Sequence, residues 1–171
     1  MARLPIVIAP DPVLKQVCTP VETIGEDVRA RLDDMLETMY AAPGIGLSAP
    51  QVADTRRLIV CDVAREGEDP RPYQMINPEI VWRSDEMVES EEGCLSIPDQ
   101  YGPVTRHRDI RCTYLDPEGV QQEVEASGLF SACIQHEIDH LDGVLFIDYL
   151  TPLKRNMILR KMKKLKRQQV A

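Results

Sequence analysis

The sequence lacks the features of membrane and secreted proteins. No apolar run approaches the roughly 20 residues that a membrane-spanning helix needs. The N-terminal stretch MARLPIVIAPDP has one Arg, and prolines interrupt its apolar residues, so it resembles neither a signal peptide nor an Arg- and Ser-rich transit segment. We therefore expect the chain to work in the cytoplasm.

Cysteines are few and are not arranged for a disulfide framework. Their number is odd and their spacing is wide and irregular: Cys18, Cys61, Cys94, Cys112 and Cys133. This pattern indicates a reducing compartment. A chain of 171 residues also buries enough surface to fold without disulfides. We expect most of the five to be buried and at least one to be a candidate ligand or nucleophile.

Acidic residues are absent from the end of the chain. There are 28 acidic and 20 basic side chains in all, yet Asp148 is the last acidic one, and 8 Lys and Arg follow it. The protein therefore has an acidic body and a basic tail. Such a tail is typical of a segment that meets a polyanionic partner.

Apolar periodicity predicts three helices. Val28, Leu32, Met35 and Met39 form one stripe, which predicts a helix over 26–41. A second helix is predicted over 128–142, ending at a glycine, and a third runs from about 152 into the basic tail. A short helical turn is expected at Asp11-Pro12.

Between the first two helices the chain is rich in β-forming residues. Strands are predicted at 58–63, 75–82, 110–115 and 120–126, and the last two flank a hairpin turn at 116–119. Asn77-Pro78 indicates an edge or a bulge. The order of elements predicts a single α+β domain over 1–171, with mostly antiparallel strands around the helix at 128–142, an N-terminal helix, and a basic C-terminal helix at about 150–168.

Histidine is scarce, and two of the three His lie in one short motif. His136 and His140 are four residues apart, so both imidazoles can bind one metal from the same helix face. Glu137 lies beside that face, where it can act as general base on a water. Apolar neighbours indicate that the motif faces the interior, where unliganded polar groups would be costly.

The third ligand distinguishes the hydrolase families that share this motif. A downstream Glu is excluded, because Glu137 is the last Glu in the chain. Phe146 occupies the place of the third His of a longer motif. Asp148, His107 and the cysteines remain, and an upstream ligand is favoured. The segment 92–96 (EGCLS) offers Cys94, although a buried Cys in a tight turn would look the same.

Two glycines stand out near the end of the first helix. The segment 44–51 reads GIGLSAPQ. Such glycines can cradle a phosphate or admit the backbone of a substrate. A phosphate loop should lead directly into a helix, whereas residues 52–54 lead towards a strand, so no helix is expected there.

Taken together, GIGLSAPQ, EGCLS and QHEIDH resemble the peptide deformylase family, in its order and at its approximate spacing. Further similarity runs along the chain, as at 10–12, 20–21, 104–106 and 148–150. Two departures are visible. Ser48 stands where Ala is usual, and Tyr101 lies in a variable stretch at the rim of the substrate site.

The resemblance implies a catalytic metal centre. Cys94, His136 and His140 would bind one divalent metal, typically Fe(II), with Zn(II), Ni(II) or Co(II) also compatible. A water would take the open position, and Glu137 would accept its proton and pass it to the leaving amine.

The resemblance also implies the groups that handle the substrate. The Gln51 amide and the Leu95 backbone N–H would stabilise the oxyanion. Glu92 and Arg106 would pair beside the cysteine, unless each is a solvated surface charge. The peptide would lie along the glycines with its methionine in a pocket, so the substrate-binding residues would be Gly44, Ile45, Gly46 and Leu129.

The function implied is removal of the formyl group from the N-terminal formyl-methionine of nascent polypeptides, with release of formate. The basic C-terminal helix would dock on the ribosome or only pack on the body, and neither a membrane nor a specific nucleic-acid sequence is expected as partner. Two alternatives remain open. One is a zinc peptidase that cleaves internal bonds. The other is a metal-stabilised binding module that contacts RNA through its tail.

Overall fold

The computed structural model describes residues 2–170, so Met1 and Ala171 of the predicted domain range lie outside it. Its strands are β1 (Gly46–Ser48), β2 (Leu58–Cys61), β3 (Tyr73–Arg83), β4 (Met87–Cys94), β5 (Ile97–His107), β6 (Asp109–Leu115) and β7 (Gln121–Ser127). Its α-helices are α1 (Glu26–Ala41), α2 (Leu129–Leu141) and α3 (Pro152–Val170). Short 3₁₀ helices span Pro12–Lys15, Ala49–Val52 and Phe146–Tyr149.

The strands form two antiparallel sheets. The larger has five strands in the order β1-β2-β3-β6-β7, and β4 pairs with β5 in a separate two-stranded sheet. The predicted α+β class with antiparallel strands is therefore confirmed.

Strand β2 lies between two helices and is buried on both faces. Leu58 and Val60 belong to the cluster that α1 covers, whereas Ile59 and Cys61 belong to the cluster that α2 covers. Successive side chains of a strand point to opposite faces, so this alternation fixes one helix on each side. The helix that carries the HEIDH motif is thus central, as predicted.

A third apolar cluster joins the C-terminal helix to the body. Ile158 and Met162 of α3 are buried with Leu14, Phe146 and Leu150. The stripe predicted in this helix is therefore its packing face.

The sequence located most elements, with informative exceptions. The predicted bulge is present, because the register between β3 and β6 shifts between Ile76 and Glu79 and Asn77 has φ of 52°. No α-helix directly follows the segment 44–51, and the chain leads on to β2 as predicted, but the short 3₁₀ helix Ala49–Val52 at the end of this segment was not predicted. Strands β1, β4 and β5 were not predicted. None of the α-helices within residues 2–170 combines the length and apolar character that crossing a membrane requires.

Candidate active site

Helix α2 supplies three of the site's side chains. Its first residue follows Gly128, which has φ of 60°, and it stops at Gly143, which has φ of 76°. Both angles suit glycine and fix the two ends of the helix. Because His136 and His140 are one turn apart, both point from the same face into the interior, and Glu137 beside them is buried as well.

Cys94 is brought to the two histidines by β4, of which it is the last residue. His140 Nε2 lies 3.3 Å from Cys94 Sγ and 3.2 Å from His136 Nε2. Ligand atoms of these three residues all lie within 4.8 Å of one another, which no other group of three or more His, Cys, Asp or Glu between residues 2 and 170 achieves. The other candidates are engaged elsewhere: His107 Nδ1 is 2.8 Å from Ser84 O, and Asp148 pairs with Lys15.

The three groups fit a divalent transition metal. Two imidazoles and one thiolate are typical ligands of zinc and iron, and three protein ligands leave one position for water or substrate. A structural site would need a fourth protein ligand, and the described residues offer none in this group. The arrangement therefore could hold one metal ion with an open position, which a catalytic metal site requires and a structural one lacks.

A buried ion pair orients one of these histidines. Glu92 accepts hydrogen bonds from Arg106 Nε at 2.5 Å and from Arg106 Nη2 at 2.9 Å, and its Oε1 also lies 2.9 Å from His136 Nδ1. With Nδ1–H donating to Glu92, the lone pair of His136 Nε2 faces Cys94 and His140. The predicted pairing of Glu92 with Arg106 is present, and the alternative of two solvated surface charges was wrong, since Arg106 is only 6% exposed.

The network extends one step further than the sequence indicated. Arg106 also donates to Asp139 at 2.9 Å, and the Tyr149 hydroxyl donates to the same carboxylate at 2.7 Å. Asp139 lies between His136 and His140 in the HEIDH motif, so its position in the sequence could have identified it. Tyr149 gives no such signal, because its contact depends on how the chain returns after α2.

The buried groups have strongly perturbed acid–base properties. Burial raises the pKa of Glu137 to about 7, against the opposing charge of His136. Burial opposes protonation of His136, but Glu137, Cys94 and Glu92 outweigh it and raise the pKa of this imidazole well above its ordinary value. At His140, burial and the neighbouring His136 lower the pKa well below its ordinary value.

Glu137 also has an unused acceptor. Its Oε1 is buried and has no hydrogen-bond partner in the structure of residues 2–170. A buried carboxylate oxygen without a donor is costly. This oxygen therefore offers an acceptor position to a further donor in the cavity.

Gln51 reaches the site from the 3₁₀ helix that follows β1. Its Oε1 accepts from the backbone N–H of Ser48 at 3.0 Å and from the Ser48 hydroxyl at 2.9 Å. Its Nε2 donates to Ser96 Oγ at 3.1 Å and lies 3.4 Å from Cys94 Sγ. The amide N–H groups therefore face the ligand set. Ser96 was missed by sequence reasoning, because it is 45 residues away from Gln51 along the chain.

A cavity of about 750 Å³ opens over these groups. Leu95, in the turn after Cys94, lies against Gly44, where an added Cβ would come within 2.7 Å of its side chain. At Gly46 an added Cβ would lie 2.5 Å from Glu137 Oε2. The remaining predicted pocket residues, Ile45 and Leu129, line the cavity and are about half exposed, at 42% and 51%. All ten predicted site residues thus surround one cavity or its floor.

Known proteins resemble this chain in sequence and in fold. The family model described as polypeptide deformylase matches residues 3–156. Peptide deformylases from Rhizobium meliloti and Phenylobacterium zucineum are 57% and 54% identical to this chain, each over 96% of it and over 94% and 97% of their own lengths. The crystal structure of peptide deformylase from Ehrlichia chaffeensis is 39% identical and superposes with a TM-score of 0.94, covering 99% of this chain and 100% of that one.

The resemblance therefore extends from the three motifs to the whole chain and to the fold. Both the matched length and the identities exceed what a shared fold alone would produce. The chain belongs to the polypeptide deformylase family, whose members are metal-dependent hydrolases that remove the formyl group from the N-terminus of newly made polypeptides.

Proposed function

We propose that this chain performs the family's reaction with a metal bound by Cys94, His136 and His140 and with Glu137 as general base. One observation carries the proposal. A thiolate and two imidazoles converge at the floor of a cavity, and an unpaired carboxylate oxygen of Glu137 is buried beside them. Its products would be formate and a peptide with a free amino terminus.

The protein's part in this reaction follows from its geometry. A divalent cation at the three ligands would supply a hydroxide nucleophile near neutral pH and polarise the formyl carbonyl. Glu137 Oε1 takes the proton of the attacking water and returns it to the leaving nitrogen. Gln51 Nε2 and the Leu95 N–H donate to the oxyanion that develops.

The substrate backbone would align with the outer edge of β1. Strand β1 is an edge strand of the five-stranded sheet, so one of its sides has no partner strand among the described residues. An extended peptide can add to such an edge. Gly44 and Gly46 line the cavity beside this edge, and Ile45 and Leu129 offer apolar surface for the methionine side chain.

Fe(II) is the metal we propose, in a cytoplasmic enzyme, with Zn(II), Ni(II) or Co(II) as substitutes. The support is chemical. Imidazole and thiolate ligands suit all four ions, and the five cysteines are free thiols, as in a reducing compartment.

The decisive experiment measures formate release from a short formyl-Met peptide by protein purified without oxygen. We expect one equivalent of formate per amine formed, and loss of release in Glu137→Ala. Cleavage of an internal peptide bond instead would support the peptidase alternative. Metal-loaded protein that releases no formate and cleaves nothing would overturn the enzyme proposal.

We also propose that α3 docks on the ribosome. Its buried stripe leaves the rest of the helix surface exposed, and the exposed face beside the stripe combines cations with apolar side chains: Leu153, Lys154, Met157, Lys161 and Lys164. A basic surface of this kind suits ribosomal RNA, and binding should weaken with salt. Packing on the body and docking are therefore compatible, because they use different faces of the helix.

A further inference from the structure

We infer that Ser48 is a positioning residue for Gln51, and that its hydroxyl aims the Gln51 amide at the reacting carbonyl. The inference rests on the proposed function, since it concerns the donor that would stabilise the oxyanion. It assigns a role to the position at which this chain has Ser where Ala is usual.

The contacts of the Gln51 side chain define its orientation. Ser48 is fully buried and Gln51 is 1% exposed, so water does not compete for their hydrogen bonds. Two donors of Ser48, its backbone N–H and its hydroxyl, converge on Gln51 Oε1 at 3.0 and 2.9 Å. On the other side, Ser96 Oγ accepts from Gln51 Nε2 at 3.1 Å.

These contacts determine which end of the amide faces the metal ligands. A side-chain amide can rotate by half a turn, and only its hydrogen bonds decide between the two orientations. Rotation of Gln51 would direct its N–H groups at the backbone N–H of Ser48, placing donor against donor. The backbone N–H of Ser48 therefore selects the orientation, and the Ser48 hydroxyl adds a second contact on the same oxygen that restricts the swing of the amide about it.

Local structure places Ser48 where this contact can form. It is the last residue of β1, and Gln51 is the third residue of the 3₁₀ helix that follows. The spacing is that of a capping box, in which a side chain three residues on returns to the residue before the helix. The same turn therefore ends the strand, starts the helix and orients the amide.

The test compares Ser48→Ala with Ser131→Ala. Both hydroxyls are fully buried, but that of Ser131 donates to His107 O at 2.9 Å and does not touch Gln51. Loss of one neutral hydrogen bond on Gln51 should lower kcat about fivefold. KM should change by less than about twofold, because the bound peptide is held elsewhere. Ser131→Ala should retain the kcat of the unmodified protein.

A double-mutant cycle separates positioning from a general structural effect. In a Gln51→Leu background, Ser48→Ala should lower kcat no further, since the group that it orients is gone. An unchanged kcat in Ser48→Ala, or an equal loss in both backgrounds, would overturn the inference.

A second measurement does not depend on catalysis or on the metal. The side-chain amide of Gln51 gives a pair of ¹⁵N–¹H signals, which can be assigned by their loss in Gln51→Leu. In metal-free protein, Ser48→Ala should shift and broaden this pair, and Ser131→Ala should not. Unchanged signals would refute the inference even if the protein released no formate, whereas absence of formate alone would refute only the proposed function.

Discussion

Close contacts between neighbours limit which side chains fit at single positions of this site. Gly46 is the clearest case, because its missing side chain leaves room for the Glu137 carboxylate and for Cys133 Sγ, at 2.5 and 2.8 Å from where a Cβ would be. The sequence indicated that this glycine admits a close approach, but not that the neighbour is the proposed general base.

Gly46→Ala should therefore reduce kcat strongly, by tenfold or more, because the new methyl would displace Glu137 from the attacking water. Gly25→Ala is the control, since Gly25 has ordinary extended backbone and lies next to α1, away from the site. Steady-state formate release measures both. Equal activity of the two variants would show that Glu137 can move without penalty.

Gln51→Leu should lower kcat by about 10²–10³-fold, the usual effect of removing one oxyanion donor. Metal content should stay near normal, because Gln51 is not among the three ligands. Metal analysis and single-turnover kinetics on the same preparation measure the two quantities. Full activity with a normal metal content would remove Gln51 from the mechanism.

The sequence predicted the residues of the site better than their supporting contacts. His136, Glu137 and His140 follow from helical spacing alone. Chemistry favoured an upstream ligand but could not select Cys94, because Asp148 and His107 remained possible ligands before the fold was known. Only the resemblance to a family identified it, since the distance between β4 and α2 is a property of the fold.

At the scale of elements, hydrophobic pattern decided what could be predicted. Helices α1 and α2 have regular apolar stripes and were predicted within about a residue at either end. Strand β4 reads MVESEEGC, which contains three Glu, is mostly exposed and has no apolar alternation. Strand β4 forms because it pairs with β5, and such pairing overrides the conformational preference of the local sequence.

Reversing two charges on α3, Lys161→Glu with Lys164→Glu, should reduce co-sedimentation with ribosomes at low salt and spare activity on short peptides. Both side chains are exposed, so the buried stripe of the helix stays intact. Arg65→Glu with Arg83→Glu changes the net charge equally at exposed sites outside α3 and is the control. Similar losses in both pairs would indicate only a general effect of charge.

At the scale of the whole molecule, the metal site links separate parts of the fold. Cys94 belongs to the two-stranded sheet, whereas His136 and His140 belong to the helix that packs on the five-stranded sheet. A bound ion would therefore cross-link these two parts of the fold.

Removal of the metal by a chelator should accordingly lower Tm, because ions that bind only the folded state stabilise it. Addition of Co(II) or Ni(II) should restore it. His140→Ala should have a low Tm that the chelator leaves unchanged. A Tm of the unmodified protein that is insensitive to chelation would argue against a metal at these three residues.

The stability of the metal-free protein should fall in acid through Glu92. Burial opposes its ionisation, but hydrogen bonds from Arg106 and His136 lower its pKa from the ordinary 4.5 to about 2. A pKa lower in the folded than in the unfolded state gives stability that is complete above pH 4.5 and is lost as pH falls towards 2. Urea unfolding at several pH values should show this slope, and Glu92→Gln should flatten it. An equal slope in both proteins would assign the acid sensitivity to other carboxyls.

Because the five thiols differ in exposure, their alkylation can measure the fraction of the protein that has bound metal. Four cysteines are buried in the core, and only Cys94 is partly accessible. A thiol-specific alkylating reagent should therefore modify Cys94 alone in the folded, metal-free protein. It should modify no cysteine while a metal is bound to Cys94. The other four cysteines should react only when the protein unfolds. Mass spectrometry of a single labelled sample would then measure the fractions of metal-bound, metal-free folded and unfolded protein.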